Sequence, residues 1–502
     1  MPQMVARMEQ VCVGIFLVYL LWVPLPFGSI VPRAFAPLVL PPLLVCAAVA
    51  LLRARRAGRY GAPASFRIWF YGGVAWIVII ALQLVPLPRP VLGLLSPAAA
   101  QVWHRADLVA SLAGLEVAAA HPLSIDPEAT RRELVRMVAL AATFLAAAFL
   151  VYDRKRRLLF AWALSAAALF EALYGVQEAT MRRYEIWGWP NRLIFDRVTG
   201  TFVNPNHFAH YLAISLPFAI YIGVAAWHGS GKSAKPFLQH ASALAEKQVL
   251  LIGAAVLLSL SCIAGILLSQ SRGALLACAA GFGMSMVISV MGSTTEETKH
   301  SRRRRAAKLA IAGSAAAAVF VLLAVAMAVF LGRERTIDRF RGLEQDPEAA
   351  VGRRAEIGAA LRIWKSFPVF GSGAGTFESI IGTVQRENLG ATYQHAHDDY
   401  AEIGATTGIL GFVAAVGAFV VGLVVFARGL VVQRRRLSWS SRAFALAALT
   451  SIFIASVHAL FDFNFFMPSN AATIAAIGGA AVALRFREAA GSPEGGAAAR
   501  PA

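Results

Sequence analysis

Residues 249–291 read VLLIGAAVLLSLSCIAGILLSQSRGALLACAAGFGMSMVISVM, with Arg272 as the single charge. About 20 apolar residues suffice to cross the ~30 Å hydrocarbon core of a bilayer. This stretch is long enough to cross twice, with spans at 249–269 and 273–291 and a tight turn at Gln270–Arg272. Outward from it, apolar runs of the same kind recur at 11–27, 36–52, 68–86, 134–152, 158–177, 207–227, 309–331, 400–427, 443–461 and 470–485. The expected fold is therefore an all-α polytopic membrane protein with about 12 transmembrane helices. The composition agrees. The 502 residues are 58% hydrophobic and only 15% charged, against about 45–50% and about 25% in soluble chains. This excludes a disordered chain and a conventional soluble enzyme. The first run is too long, and too poorly followed by a small-residue cleavage site, for a removed signal peptide.

The net charge of +19 finds its explanation in where the charges fall. Basic clusters at Arg53–Arg59, Arg154–Arg157, Lys232–Lys235, Arg302–Arg305 and Arg434–Arg436 occupy alternate loops. The positive-inside rule makes that side the cytoplasm, with both termini on it and a flexible tail at 488–502. Topology thus accounts for most of the surplus, and no nucleic-acid partner is needed. Two loops on the opposite side are nevertheless rich in arginine. One holds Arg182, Arg183, Arg192 and Arg197; the other holds Arg333, Arg335, Arg339, Arg341, Arg353, Arg354, Arg362 and Arg386. Guanidinium groups grip phosphate bidentately, so an anionic ligand is expected there, with pairing to Glu344, Asp346, Glu348 or Glu356 as the alternative. The four cysteines, Cys12, Cys46, Cys262 and Cys278, sit in apolar runs and show neither metal-ligand spacing nor a disulfide framework.

The chain divides into spans one to nine with their loops (1–331), a large outside loop (332–399), spans ten to twelve (400–487) and the tail. A loop of that length is rarely idle. Its middle repeats Val351, Ala355, Ala359, Ile363 and Phe367 at helical spacing. Pro368 ends the helix, and the glycine-rich PVFGSGAGTF follows without the ending of a phosphate-binding P-loop. An earlier outside segment, 87–133, ends where Ser124 or Asp126 would cap the helix leading into span four.

Four segments carry residues suited to chemistry. YQHAHDDYAEIGATTGILG (393–411) holds His395 and His397. A two-metal hydrolase reading would use both histidines with Asp399, but wants a further histidine where Tyr400 stands. A structural pair and a general base are the other readings, and neutral histidine suits the last. TGTFVNPNHFAHYLAISLP (199–217) places Asn204 and Asn206 at a helix start, where they can cap it or leave its N-terminus open to an anion. SQSRGALLA (269–277) puts Arg272 close to hydrocarbon, where it needs a partner or must snorkel. SVHALFDFNFFMPSNAA (456–472) puts Asp462 and Asn464 at the outer end of span eleven, a turn after His458. Within the spans Glu171 and His458 stand out as ionisable, both read as near span ends. Such sparseness speaks against a secondary transporter, which would want more of them at the midplane.

Together these segments resemble the O-antigen ligase and polymerase superfamily of bacterial surface-polysaccharide assembly. The family pattern is a histidine followed by Asn, Ser or Gln, then nine residues, then Gly-x-x-Gly. Here His397 is followed by Asp398, nine residues, and Gly408–Ile409–Leu410–Gly411. GTFVNPNHFAHYLA, SRGALLA, GSGAGTF and HALFDFN also look like family blocks, and the resemblance spans roughly 120–480. It implies a metal-independent, inverting glycosyltransferase of the inner membrane that needs no cofactor. A glycan on undecaprenyl diphosphate would pass to a hydroxyl of lipid A–core or of a growing polysaccharide at the periplasmic face. His397 and Arg272 would be catalytic. Arg197, Arg353 and Arg354 would hold the diphosphate, and Asn204, Asn206, His395, Asp398 and Asp462 would line the substrate site. Asp398 departs from the family pattern; it would either tune His397 or cap the following helix, and capping is the expectation. Ligation, polymerisation and transfer to protein are not separated by sequence. A secondary transporter and a non-catalytic assembly protein of polysaccharide export are the alternative functions.

Overall fold

The computed structural model describes residues 2–54, 63–191, 197–228, 246–291, 347–384, 393–432 and 437–488. It is an all-α membrane protein. Helices α1 (Pro2–Trp22), α2 (Phe35–Ala54) and α3 (Ala64–Leu82) are followed outside the spans by the short α4 (Arg89–Leu95) and by α5 (Pro97–Leu112). Next come α6 (Pro127–Leu150), α7 (Arg154–Thr180), α8 (Pro205–His228), α9 (Glu246–Leu268) and α10 (Arg272–Met291). The large loop contributes α11 (Pro347–Ser366) and α12 (Phe377–Val384). The chain closes with α13 (Asp399–Phe412), a π-helical turn (Val413–Gly417), α14 (Ala418–Val432), α15 (Trp439–His458) and α16 (Pro468–Glu488). Among the described residues, 10 helices are long and apolar enough to cross a membrane. The expected spans fall on helices except for 309–331, which lies outside the described residues, as do the basic clusters 232–235, 302–305 and 434–436, part of 53–59, the loop arginines Arg192, Arg333, Arg335, Arg339, Arg341 and Arg386, and the tail from 489.

The bundle is organised around α8, which packs on α7, α9 and α15. Its residues are almost all buried and, apart from polar side chains such as His207, His210 and Ser215, apolar on every side, as befits a helix enclosed by others. The last helix, α16, is likewise enclosed and lies along α6. A Cβ on Gly479 would stand 2.0 Å from the Phe144 carbonyl, so only glycine lets these two backbones approach so closely.

Outside the spans, two loops that are far apart in sequence share one core. Leu92, Ala99 and Leu123 from the first pack with Ala359, Ile363 and Phe377 from the second. The periodicity read in the large loop is realised: Ala355, Ala359, Ile363 and Phe367 are all buried. Asp126 caps α6 through the Ala129 amide at 3.0 Å, while Ser124 pairs with Thr130 at 2.7 Å. Buried Gln83 ties this layer to the spans. It donates to the Phe370 and Thr406 carbonyls and accepts from the Ala374 amide, at 2.6, 2.9 and 2.9 Å.

That layer explains the glycine spacing after His397. The stretch 368–373 runs beside α13, with Ile409 N donating to Pro368 O and Ser372 N to Ala405 O, at 2.8 and 3.1 Å. Gly408 breaks α13 there, at φ 65° and ψ −171°. A Cβ at this position would lie 2.2 Å from the Val369 carbonyl oxygen.

Candidate active site

His397 sits on the short segment between the large loop and α13, at φ 51°. Its ring is 22% exposed, and Nδ1 lies 3.2 Å from Oδ1 of Asp462, a residue of the connection between α15 and α16. Nε2 faces Oε2 of Glu356, a buried residue of α11, at 3.7 Å. The Asp462 carboxylate is buried and also accepts the Phe463 amide at 2.9 Å. Burial pushes its pKa up, but contacts with His207 and His397 prevail, so the carboxyl is held well below the usual carboxylate range. A charged Asp462 keeps the proton of a neutral His397 on Nδ1, which leaves Nε2 as the basic nitrogen.

His395 has a different setting. Its Nδ1 pairs with Glu402 Oε1 at 2.8 Å, and Glu402 Oε2 takes the Ala396 amide at 2.8 Å. The ring stacks on Phe463 and Phe466, at 4.5 and 5.2 Å between centroids. Burial disfavours its charged form, but Glu402 outweighs burial and moves the His395 pKa up. Asp398 caps α13, its Oδ1 accepting the Tyr400 and Ala401 amides at 2.9 and 3.0 Å. Burial raises its pKa, and the two amides lower it without cancelling that rise.

Arg197 and Arg272 occupy neighbouring turns. Arg197 Nε donates to the Ser269 carbonyl at 2.6 Å and its Nη2 to Asn206 Oδ1 at 3.1 Å. It therefore joins the start of α8 to the turn before Arg272. Asn204 Oδ1 accepts the Asn206 amide at 2.8 Å. Buried Glu171 holds the preceding turn through the Thr201 amide and hydroxyl, at 2.8 and 2.7 Å. Arg272 opens α10 with its side chain exposed. The next residue, Gly273, fits against His458, whose ring would lie 2.9 Å from a Cβ there. Arg354 is exposed on α11; Arg353 lies one turn before Glu356, its side chain outside the described residues.

The structure thus brings His397 and Asp462 into contact and joins Arg197 to Asn206. It adds residues that sequence reasoning passed over, Glu402, Phe463 and His207, whose Nε2 lies 3.4 Å from Asp462 Oδ1, and it sets Glu356, read from sequence as a possible partner of the loop arginines, beside His397. The reading that Glu171 and His458 stand out alone within the spans is corrected. His207 and His210 on α8 and Glu402 on α13 are also buried there. The signal was available, since an ionisable residue inside a span is a functional candidate by default. No group of three or more His, Cys, Asp or Glu among the described residues could hold a metal ion.

Beside the site, an apolar cavity of about 280 Å³ opens between α3, α6, α14 and α16. Trp69, Ile77, Phe144 and Phe419 line it. So do Tyr400 and Phe465, from the segments that carry Asp398 and Asp462.

Residues 254–416 match the family model described as O-antigen ligase. The match supports the O-antigen ligase and polymerase superfamily. It covers roughly a third of the 502 residues. The O-antigen ligase region includes Arg272, Glu356, His395, His397 and Asp398, whereas Arg197, Asn204, Asn206, His207 and Asp462 lie on either side of it. The fold and the family together fit a multi-pass membrane protein of polysaccharide biosynthesis, and the family suggests a glycosyltransferase-type enzyme. No curated protein matches the chain.

Proposed function

We propose that the chain is an inverting, metal-independent glycosyltransferase of the bacterial inner membrane, working at the periplasmic face with both termini in the cytoplasm. It moves a glycan from undecaprenyl diphosphate to a hydroxyl of lipid A–core or of a growing surface polysaccharide. The observation that carries this reading is the His397–Asp462 contact in a helical bundle of which residues 254–416 match the O-antigen ligase family. His397 takes the acceptor proton on Nε2 as the hydroxyl oxygen attacks the anomeric carbon. Asp462 orients the ring and stabilises the imidazolium, a step worth about 10²–10⁴ in rate. Arg272 and Arg197, with Arg353 or Arg354, bind the departing diphosphate and stabilise its growing charge. His395 and Asp398 shape the acceptor side, Asn204 and Asn206 present the start of α8 to the anion, and the apolar cavity takes part of the lipid tail.

The test is transfer from a lipid-linked glycan by the protein in nanodiscs. His397→Ala is expected to lose activity without loss of folded protein, and equal activity of variant and parent would overturn the base assignment. Deleting the gene separates the acceptors. A missing polymerase leaves single repeats on the acceptor, and a missing ligase leaves long polymer on the lipid carrier.

A further inference from the structure

The turn that leads into α8 is seated on α7 by a carboxyl group whose partners fix where its proton lies. Glu171 and Thr201 are both 0% exposed. The Thr201 amide donates to Glu171 Oε2 at 2.8 Å. Thr201 Oγ1 lies 2.7 Å from Glu171 Oε1 and 3.0 Å from the Pro24 carbonyl oxygen. A hydroxyl has one proton to give, and a carbonyl can only accept. If Thr201 gave its proton to a carboxylate, its own lone pairs would face those of Pro24 with no proton between them. Both short contacts are hydrogen bonds only when Glu171 is the carboxylic acid. Its Oε1–H then donates to Thr201 Oγ1, and the Thr201 hydroxyl donates to Pro24. Oε2 remains the acceptor for the amide. No Lys or Arg among the described residues pairs with Glu171, and a buried carboxylate without a cation is costly.

The fit around this carboxyl is close. One helical turn on from Glu171, a Cβ on Gly175 would stand 2.5 Å from Val198 Cγ1 and 2.8 Å from the Gly200 nitrogen. Gly200 has φ 56°, and a Cβ on it would run into Glu171 Oε2 and the Phe208 ring. Phe202 is buried against Gly28, in the turn after α1. The turn therefore has one seat. Arg197 stands at its start, bound to the Ser269 carbonyl and to Asn206. Asn204 stands at its end, where α8 begins.

We propose that Glu171 is an uncharged acid clamp, a positioning residue that fixes the turn 197–204 so that Arg197 and the start of α8 are set to receive the donor diphosphate. The proposal rests on the transferase reading. Glu171 touches no substrate in this role and keeps its proton throughout. Because it is neutral, it holds the turn without placing a negative charge behind the groups that bind an anion. A glutamine side chain can replace it. The amide N–H donates to Thr201 Oγ1 as the acid does, and the amide oxygen accepts from the Thr201 backbone.

Two measurements test it. Infrared spectra in a carbonyl-free detergent at neutral pH should show a protonated-carboxyl band in the parent that is missing from Glu171→Gln. In the transfer assay, Glu171→Gln should keep the parental kcat/KM for the donor. Glu171→Leu fills the space with neither donor nor acceptor, and should lower that ratio about tenfold per folded protein at unchanged acceptor KM. Should the leucine variant fail to fold, Thr201→Val takes its place, since it removes the hydroxyl and keeps the amide. A spectrum that Glu171→Gln leaves unchanged, or a glutamine variant as impaired as the leucine one, overturns the acid clamp. A leucine or valine variant that transfers like the parent, or that loses donor and acceptor affinity alike, overturns the positioning role. A parent that shows the band but transfers no glycan overturns the transferase reading, and the donor role with it, but not the acid.

Discussion

His397 Nδ1 lies 3.2 Å from Asp462 Oδ1, although 65 residues separate them in the chain. The carboxylate is held from its own side by the Phe463 amide, so the imidazole is positioned by a group from the connection between α15 and α16 and not from its own segment. The first prediction follows from that contact. Asp462→Asn retains the shape but cannot stabilise an imidazolium and can present the wrong hydrogen-bonding pattern to Nδ1. The expected result is a fall in kcat of about 10²-fold or more, with donor KM little changed. Steady-state kinetics of both proteins decide it, and a variant within twofold of the parent would remove Asp462 from the mechanism.

Arg272→Lys should fail to restore what Arg272→Ala loses. The guanidinium is exposed at the start of α10, and two-pronged binding of a diphosphate would ask more of it than charge alone. Donor binding is the readout. A lysine variant with parental affinity would make Arg272 a point charge, and inhibition by chelator that a divalent ion reverses would point to metal chemistry instead.

The His395–Glu402 pair predicts a stability that depends on pH. Folding raises the His395 pKa above its ordinary 6.5. The stabilisation is therefore complete below the unfolded value and disappears as the pH rises through the folded one. His395→Ala should lower Tm clearly in mildly acidic buffer and much less in alkaline buffer. A deficit that is equal in both would assign the loss to the stacking on Phe463 and Phe466 alone.

Asp398 holds two amides of α13, so its role separates from that of the base. Asp398→Asn is expected to keep near-parental transfer and an unchanged pH–rate profile, because Asn caps as well as Asp. Asp398→Leu should cost about 0.5–2 kcal/mol of stability. A displaced acidic limb in the Asn variant would instead mean that the carboxylate tunes His397.

The spans were legible because crossing hydrocarbon demands long apolar runs whatever their neighbours are. The spacing from His397 to Gly408 could be read from the sequence, and it has a local cause: α13 runs from its cap to the point where 368–373 crosses it. The contact with Asp462 was not legible, because nothing local joins 397 to 462. The same holds for Gln83, a polar residue at the end of a span whose three partners come from residues 370, 374 and 406. The shared core of the two outside loops was hidden for a similar reason. Leu92 and Phe377 each look like ordinary loop hydrophobes until the layer is assembled.

The backbone of His397 has a practical consequence. At φ 51° a non-glycine residue occupies a region that glycine enters freely. Replacing His397 with glycine would remove the ring while leaving the chain in a conformation it prefers, with a vacancy of imidazole shape between Glu356 and Asp462. Free imidazole added to His397→Gly should enter that vacancy and restore part of the transfer in a dose-dependent way. Alanine, which adopts this backbone at a cost, should be rescued less well. Chemical complementation of this kind would separate loss of the base from loss of the fold within a single protein preparation.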